Sequence, residues 1–267
     1  MLYIVATPIG HLEDLTARAL KALQDCDAIL CEDTRRTTLL LQKYQIKKPL
    51  ISYHQFKEKQ SLKKILRRLE EGDNLALVSD AGTPCINDPG QLLVQECIQA
   101  HFPFTVLPGP CSLIQALVMS GFATAQFQFI GFLPKKPKPA LQRALFYPGT
   151  TVCFESPQRL LHTLQVLDTL DPERHIAVAR EMTKMFEECR RDTPKNLAAH
   201  FEKTPPKGEV VLVIAEGKIP PVDDLEELIA TLQTTHGLSL KAAIKMAAQL
   251  THTKKNVVYK EIHGKKE

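Results

Sequence analysis

Twelve residues, Ser79-Asp80-Ala81-Gly82-Thr83-Pro84-Cys85-Ile86-Asn87-Asp88-Pro89-Gly90, carry the densest chemistry in the chain. Two Gly and two Pro fix an irregular backbone with exposed N–H groups, and Asp80 and Asp88 are acceptors suited to ribose hydroxyls or amines. A tight turn with Asp as helix caps would need about four residues, and a loop this much longer signals function. Glu32-Asp33-Thr34-Arg35-Arg36 sets two acids beside two bases, which can orient a polar substrate; the plainer alternative is Asp33 or Thr34 capping a helix beside a solvated Arg pair. Leu107-Pro108-Gly109-Pro110-Cys111-Ser112 offers backbone amides at a helix start, suited to carboxylate or ribose oxygens. Thr7-Pro8-Ile9-Gly10-His11-Leu12 suits either a turn that brings backbone close to a ligand or a simple strand–helix turn. Further on, Phe154-Glu155-Ser156-Pro157-Gln158-Arg159 holds a carboxylate and a guanidinium that serve equally as a structural pair. Arg180-Glu181-Met182-Thr183-Lys184, with Phe186-Glu187-Glu188, offers Lys184 to a phosphate or a developing alkoxide, or else is a solvated charged face.

Each stretch follows an apolar run. Residues 2–6, 28–31, 50–53, 75–78 and 104–107 read as strands, and 14–24, 34–43, 61–70, 91–100 and 112–119 as helices. This alternation predicts a mostly parallel sheet covered on both faces, with the polar loops at the carboxyl ends of its strands, where open α/β sheets bind ligands. The second half is less regular, with strands at 126–132, 151–154, 176–179 and 209–215 and helices at 158–167 and 195–200. Lys135-Lys136-Pro137-Lys138-Pro139 reads as a basic connector. Beyond Pro221 the pattern is helical, at 223–233, 239–249 and 253–262, with Ser239 and Thr253 as caps. The expected fold class is α/β: two α/β domains, residues 1–112 and 113–220, with mostly parallel then mixed sheets, and a basic helical extension at 221–267.

With 267 residues and 44% hydrophobic content, the chain can bury a real core. No apolar run approaches a membrane span, and the start enters a strand without a charged leader, so a cytoplasmic protein is expected. Seven Cys with no C-x-x-C suit reduced core thiols; nine His with no H-E-x-x-H give no metal site. The net charge of +4 is uneven: residues 237–267 hold seven Lys against two Glu, so the body sums to about −1. Two short helices with exposed Lys, Lys254 and Lys255 among them, look like a helix-turn-helix or similar phosphate-reading unit; a solubilising tail that packs on the body is the alternative.

S-D-A-G-T-P followed by D-P-G resembles the signature loop of the tetrapyrrole-methylase superfamily, the class III S-adenosylmethionine (SAM) methyltransferases. Within it, the resemblance is to the branch that methylates a cytidine 2′-oxygen in small-subunit ribosomal RNA. T-P-I-G-H-L at 7–12 is similar to that branch's T-P-I-G-N-L, and Glu32, Asp33, Thr34 and Arg35 match its E-D-T-R. L-P-G-P-C-S at 107–112 is similar to L-P-G-P-S-A, and F-E-S-P-Q-R at 154–159 to Y-E-S-P-H-R. R-E-M-T-K with F-E-E resembles R-E-L-T-K-x-F-E-E, and Gly208-Glu209-Val210-Val211 the closing G-E strand. Residues 238–259 resemble the branch's helical tail. His11, Cys111, Phe154 and Gln158 depart from the pattern. There is no G-x-G-x-x-G, so a Rossmann-type SAM fold is not supported.

The resemblance implies SAM held in a cleft between two α/β domains, a homodimer, and 16S rRNA or the 30S subunit as substrate, with no metal and no membrane partner. It implies cofactor contacts from Pro8, Gly10, Asp80, Ala81, Gly82, Thr83, Cys111, Ser112, Phe154 and Thr183. Substrate contacts fall to Asp33, Arg35, Arg159, Lys254 and Lys255. A ribose hydroxyl is a weak nucleophile, so a base or cation should assist, and Glu155, Lys184 and Glu32 are the candidates. Two other readings stay open: a tetrapyrrole or diphthine-type methylase, and a non-catalytic RNA-binding protein in which Asp80 and Gly82 are mere turn residues.

Overall fold

Which helix covers which side of the first sheet follows from the period-two alternation of its strands. The computed structural model describes residues 1–54, 58–217, 225–234, 237–251 and 253–264. It divides into two units, Met1–Gln115 with Met182–Phe186, and Ala116–Glu181 with Glu187–Glu267. In the first unit, β1 (Leu2–Val5), β2 (Ala28–Cys31), β3 (Leu50–Ser52), β4 (Leu75–Val78) and β5 (Phe104–Leu107) form one sheet in the order β3-β2-β4-β1-β5. Every pairing in it is parallel. Val5, Ile29, Cys31, Ala76 and Val78 face one way, into a core with α1 (Ala17–Asp25) and α2 (Thr34–Lys43). Leu2, Ile4, Ala28, Leu30, Leu75 and Leu77 face the other, toward α3 (Glu58–Glu70) and α4 (Gln91–Gln99).

Right-handed crossovers require this split, because α1 and α2 carry the chain one way along the sheet while α3 and α4 carry it back. β1 and β4 are neighbours whose following helices leave on opposite faces. Their carboxyl ends therefore flank the crevice at which open α/β sheets take ligands. The helix expected from residue 14 starts at Ala17, because Thr16 is its cap and accepts the Ala19 N–H at 3.2 Å. Leu12–Asp14 instead makes a separate 3-10 turn.

From α5 (Ser112–Ser120) the chain enters the second unit, with β6 (Phe127–Phe132), α6 (Lys138–Leu145), β7 (Thr150–Glu155), α7 (Pro157–Leu170), β8 (Ile176–Arg180), β9 (Glu188–Asp192), α8 (Pro194–Lys203) and β10 (Val210–Ile214). The sheet order is β6-β7-β10-β8-β9, with β6 parallel to β7 and the other pairs antiparallel, so a mixed sheet follows a parallel one as expected. Two elements differ from the sequence reading. Part of the basic connector is α6, which places Pro137 and Pro139 at its start, where a missing N–H costs nothing, and buries Ala140, Leu141, Ala144 and Leu145. The charged run at 188–192 is β9, an edge strand.

α9 (Leu225–Thr234), α10 (Leu240–Leu250) and α11 (Lys255–Gly264) share one core of Leu228, Ile229, Leu232, Ala243, Ile244, Ala247 and Val258, and it includes Phe146 from the end of α6. The basic extension is therefore packed on the body. Ser239 caps α10, its hydroxyl accepting from Ala242 N–H at 3.4 Å; Thr253, expected as the next cap, instead donates to the Thr251 carbonyl at 3.1 Å. The expected boundary at 220/221, and Lys265 and Lys266, lie outside the described residues. Among the described residues no helix is long and apolar enough to cross a membrane, and no His, Cys, Asp and Glu group suits a metal.

Candidate active site

The loop after β4 turns back on itself at once. Parallel pairing of β1 with β4 ends at Val5 and Val78, yet Thr7 and Gly82 then form an antiparallel bridge, with Thr7 N–H donating to Gly82 O at 2.9 Å and Gly82 N–H to Thr7 O at 3.0 Å. The reversal is held by the Thr7 hydroxyl on Ser79 O at 3.2 Å and the Ser79 hydroxyl on Gly82 O at 3.1 Å. Gly82 sits at φ +80°, which a side chain resists, and its N–H, expected to be exposed, is spent on Thr7. Farther along, the Thr83 hydroxyl donates to Pro110 O at 3.0 Å and ties this loop to the one after β5. At the loop's end Gly90 N–H and the Tyr53 hydroxyl both donate to Glu58 Oε1 at 2.9 Å. Thr7 and Ser79 lie inside the quoted motifs without an expected role, Tyr53 and Glu58 lie outside them, and nothing in the spacing links Glu58 to a glycine thirty-two residues later.

The loop after β2 docks on the same structure. Asp33 N–H donates to Asp80 Oδ1 at 3.0 Å, and Arg36 Nη1 lies 3.6 Å from Asp80 Oδ2. Asp33 caps α2 through Arg35 N–H at 2.9 Å, and its two oxygens accept from Arg35 Nε at 3.0 Å and Nη2 at 2.7 Å. The two expected substrate contacts thus hold each other, and the hydrogen-bonded Arg35 guanidinium keeps the Asp33 carboxyl down at about 2. Glu32 is half-buried. Burial first, and then the charge of Asp80, push its carboxyl above the ordinary range against the pull of His54 and Arg36. That is the direction a general base working near neutrality needs.

The remaining loops of this unit close around the end of β1. A Cβ on Gly109 would lie 2.8 Å from Ala6 Cβ, so the β5 loop runs tightly against β1 and delivers half-buried Cys111 and Ser112 to the start of α5. The strap Met182–Phe186 lies on the other loop: His11 N–H donates to Thr183 Oγ1 at 2.9 Å, and a Cβ on Gly10 would meet Thr183 Oγ1 and Lys184 Cγ, each at 2.6 Å. Thr183 takes a left-handed φ of 63° beside buried Met182. Such strain at a non-glycine residue marks segments whose position matters. One unit therefore gathers Pro8, Gly10, Glu32, Asp33, Arg35, Asp80, Ala81, Gly82, Thr83, Cys111, Ser112, Thr183 and Lys184 on adjoining loops.

Phe154, Glu155, Arg159, Lys254 and Lys255 belong to the second unit. Glu155, a candidate for proton transfer, is 1% exposed at its side chain. Its Oε1 accepts from Ser156 N–H at 2.7 Å and from Arg159 Nη2 at 2.6 Å, and Oε2 from the Thr163 hydroxyl at 2.6 Å. The carboxylate is thus committed to fastening the first turns of α7 to β7. Phe154 sits in an aromatic cluster, 4.9 Å from Phe129 and 5.1 Å from Phe132 between ring centres. Lys254 and Lys255 are exposed at the start of α11. On β9, Glu188 feels burial pushing its carboxyl up, but Arg180 and Arg190 together hold it below the ordinary range.

A parallel sheet with polar loops at a topological switch point, followed in the chain by a mixed sheet, places the protein in the open-sheet α/β class, in which ligands bind at such a switch point. The chain belongs to the tetrapyrrole (corrin/porphyrin) methylases, whose family model matches residues 1–198. Curated relatives include a ribosomal RNA small subunit methyltransferase I of Thermotoga maritima, 46% identical over 216 residues, 80% of this chain and 97% of the relative. The protein of the same name from Synechocystis is 44% identical over 268 residues, 97% of this chain and 96% of its own. Among solved structures, a uroporphyrin-III C-methyltransferase of Thermus thermophilus complexed with S-adenosylhomocysteine matches with TM-score 0.56 and 18% identity, over 80% of this chain and 97% of that one. A diphthine synthase matches with TM-score 0.62 and 14% identity, over 97% and 98%.

Proposed function

We propose that this protein is a cytoplasmic, homodimeric enzyme that moves a methyl group from SAM to the ribose 2′-oxygen of a cytidine in the 16S rRNA of the small ribosomal subunit. The observation that carries the reading is the 44% identity to a ribosomal RNA small subunit methyltransferase over 97% of the chain, tail included. The donor set of the first unit fits SAM chemically: Asp80 is an acceptor for an ammonium or ribose hydroxyl, and the α5 amides beginning at Ser112 suit a carboxylate. When bound, SAM supplies an electrophilic methyl group activated by its sulfonium. Glu32 takes the proton of the attacking hydroxyl, its raised carboxyl being suited to that exchange. Lys184, on the strap beside Gly10, stabilises the developing alkoxide. Glu155 is a positioning residue that fixes Arg159 for a phosphate. Val118, Phe127 and Phe132, all exposed on the second unit, support burial of an apolar surface between two copies.

The product decides the matter. Methylation of the ribose oxygen removes the nucleophile that alkali uses to cut the adjacent phosphodiester. Tritium from methyl-labelled SAM should therefore appear in one alkali-stable dinucleotide, 3′ of a cytidine in 16S RNA. Label released as a methylated base or an ordinary mononucleotide would overturn the 2′-oxygen assignment. Label found only in a porphyrinoid or a diphthine precursor would overturn the RNA substrate.

A further inference from the structure

Most of the described surface of α11 is exposed. Among its described residues only Val258 is buried and Ile262 half-buried, while Lys255, Asn256, Val257, Tyr259, Lys260, Glu261 and His263 are exposed. Lys255, Tyr259 and His263 are four residues apart in turn, so they line one stripe of the helix. Within that stripe the Tyr259 and His263 rings are stacked, with centres 4.0 Å apart and planes at 13°. The stack is pinned: His263 Nδ1 lies 3.0 Å from the Tyr259 carbonyl oxygen, which can only accept, so Nδ1 carries the proton. Tyr259 is 51% exposed, so much of its ring stays in solvent, on a helix that also carries exposed Lys255, Lys260 and Glu261. An aromatic pair that served only to steady the helix would gain by lying against α9 and α10, as Val258 does.

We infer that the Lys255–Tyr259–His263 stripe is a stacking platform for an unpaired base of RNA, a reading that rests on the tail being the RNA-facing part of the proposed enzyme. The occupant follows from charge and ring together. Residues 237–267 carry seven Lys against two Glu, which attracts a polyanion, and a flat ring bordered by cations takes a base that has left its own stack. A paired duplex offers this platform phosphates but no free base face, so the stripe distinguishes single-stranded from double-stranded RNA. Lys254 and Lys255 then hold the backbone while Tyr259 holds the base.

The test uses the full-length protein and three labelled RNAs of one length: an unpaired strand, its duplex, and the strand carrying abasic sites. Binding is followed by anisotropy. Because the chain has no Trp, quenching of tyrosine emission gives a second signal, which the Tyr259→Phe variant should lose. Tyr259→Ala should weaken binding of the unpaired strand by about ten-fold, leave the duplex and abasic strand unchanged, and leave the salt dependence unchanged. Tyr259→Phe should restore the affinity. The double variant Lys254→Gln, Lys255→Gln should weaken all three and flatten the salt dependence. If Tyr259→Ala matches wild type on every RNA while the lysine variant loses affinity, stacking is overturned and the basic tail contact stands. Equal losses on unpaired and abasic strands would reduce the ring to helix packing and overturn it too. If both variants match wild type, the RNA-facing tail itself is wrong.

Discussion

Replacing Gly10 by alanine puts a methyl group into the seat of the strap that closes over the first loop. The new Cβ would lie 2.6 Å from Lys184 Cγ, 2.6 Å from Thr183 Oγ1 and 2.9 Å from the Met182 carbonyl oxygen. Gly10 is not a left-handed glycine, so the entire cost is steric. The Lys184 stem can rotate away, but Thr183 and the Met182 carbonyl can yield only if the strap lifts. Overpacking costs roughly 1–3 kcal/mol, and losing the His11–Thr183 hydrogen bond adds about 0.5–1.5 kcal/mol. The sum is capped by the free energy holding the strap, since detachment relieves the clash. Gly82→Ala is the control: its Cβ meets nothing nearer than Ile9 Cγ2 at 3.3 Å, and its φ of +80° makes the penalty one of backbone strain, about 1–2 kcal/mol. Urea unfolding would measure stability, amide exchange would follow residues 182–186, and methyl transfer would report the site. Gly10→Ala should raise exchange along the strap and depress transfer, whereas Gly82→Ala should leave exchange there unchanged. A Gly10→Ala protein with wild-type exchange, stability and turnover would refute the seating of the strap.

Four further outcomes are expected. Glu155→Ala leaves Arg159 and Thr163 facing an emptied buried site, and should cost roughly 3–5 kcal/mol by equilibrium unfolding. Asp80→Asn removes a charge that helps raise the Glu32 carboxyl, so the acid limb of turnover measured at saturating SAM should move to lower pH. Asp33 runs the other way: its carboxyl lies below its unfolded value, so its contribution to stability is present above the ordinary value of 3.8 and lost as pH falls toward about 2. Asp33→Asn should flatten that part of an unfolding-midpoint profile. Ending the chain after His236 strips Phe146, Leu228, Ile229 and Leu232 of their cover, so thermal unfolding should show lost stability, while Lys254→Gln with Lys255→Gln should keep the wild-type midpoint.

The parallel sheet was readable because its strands are short, apolar and separated by helices of clear period. The loops after β1, β4 and β5 were readable as loops because Gly and Pro cluster there, whereas the one after β2 is marked only by its charges. β9 escaped notice because an edge strand need not alternate: Glu188, Arg190 and Arg191 are satisfied by Arg180, by one another and by α5 carbonyls. α6 was hidden behind two prolines that read as breaks but stand at a helix start, where proline is tolerated. Within the site, residue types were legible and partners were not. The loop was expected to expose backbone N–H groups, and only the tertiary pairing with Thr7 shows that Gly82's is not one of them. Glu155 could be read from sequence as a base or as half of a structural pair with Arg159, and its three donors favour the second.

The strap has a consequence for synthesis. Residues 1–115 hold all five parallel strands, yet the segment that covers Gly10 is residues 182–186. At about 5–20 residues per second, the roughly 70 residues between them take roughly 4–14 s to appear. During that interval the nascent first unit has its sheet and helices but an open rim, and it closes only after β6, β7 and β8 have been made. A gene split between residues 115 and 116 would separate the sheet from its own cover, so neither half could assemble the rim without the other.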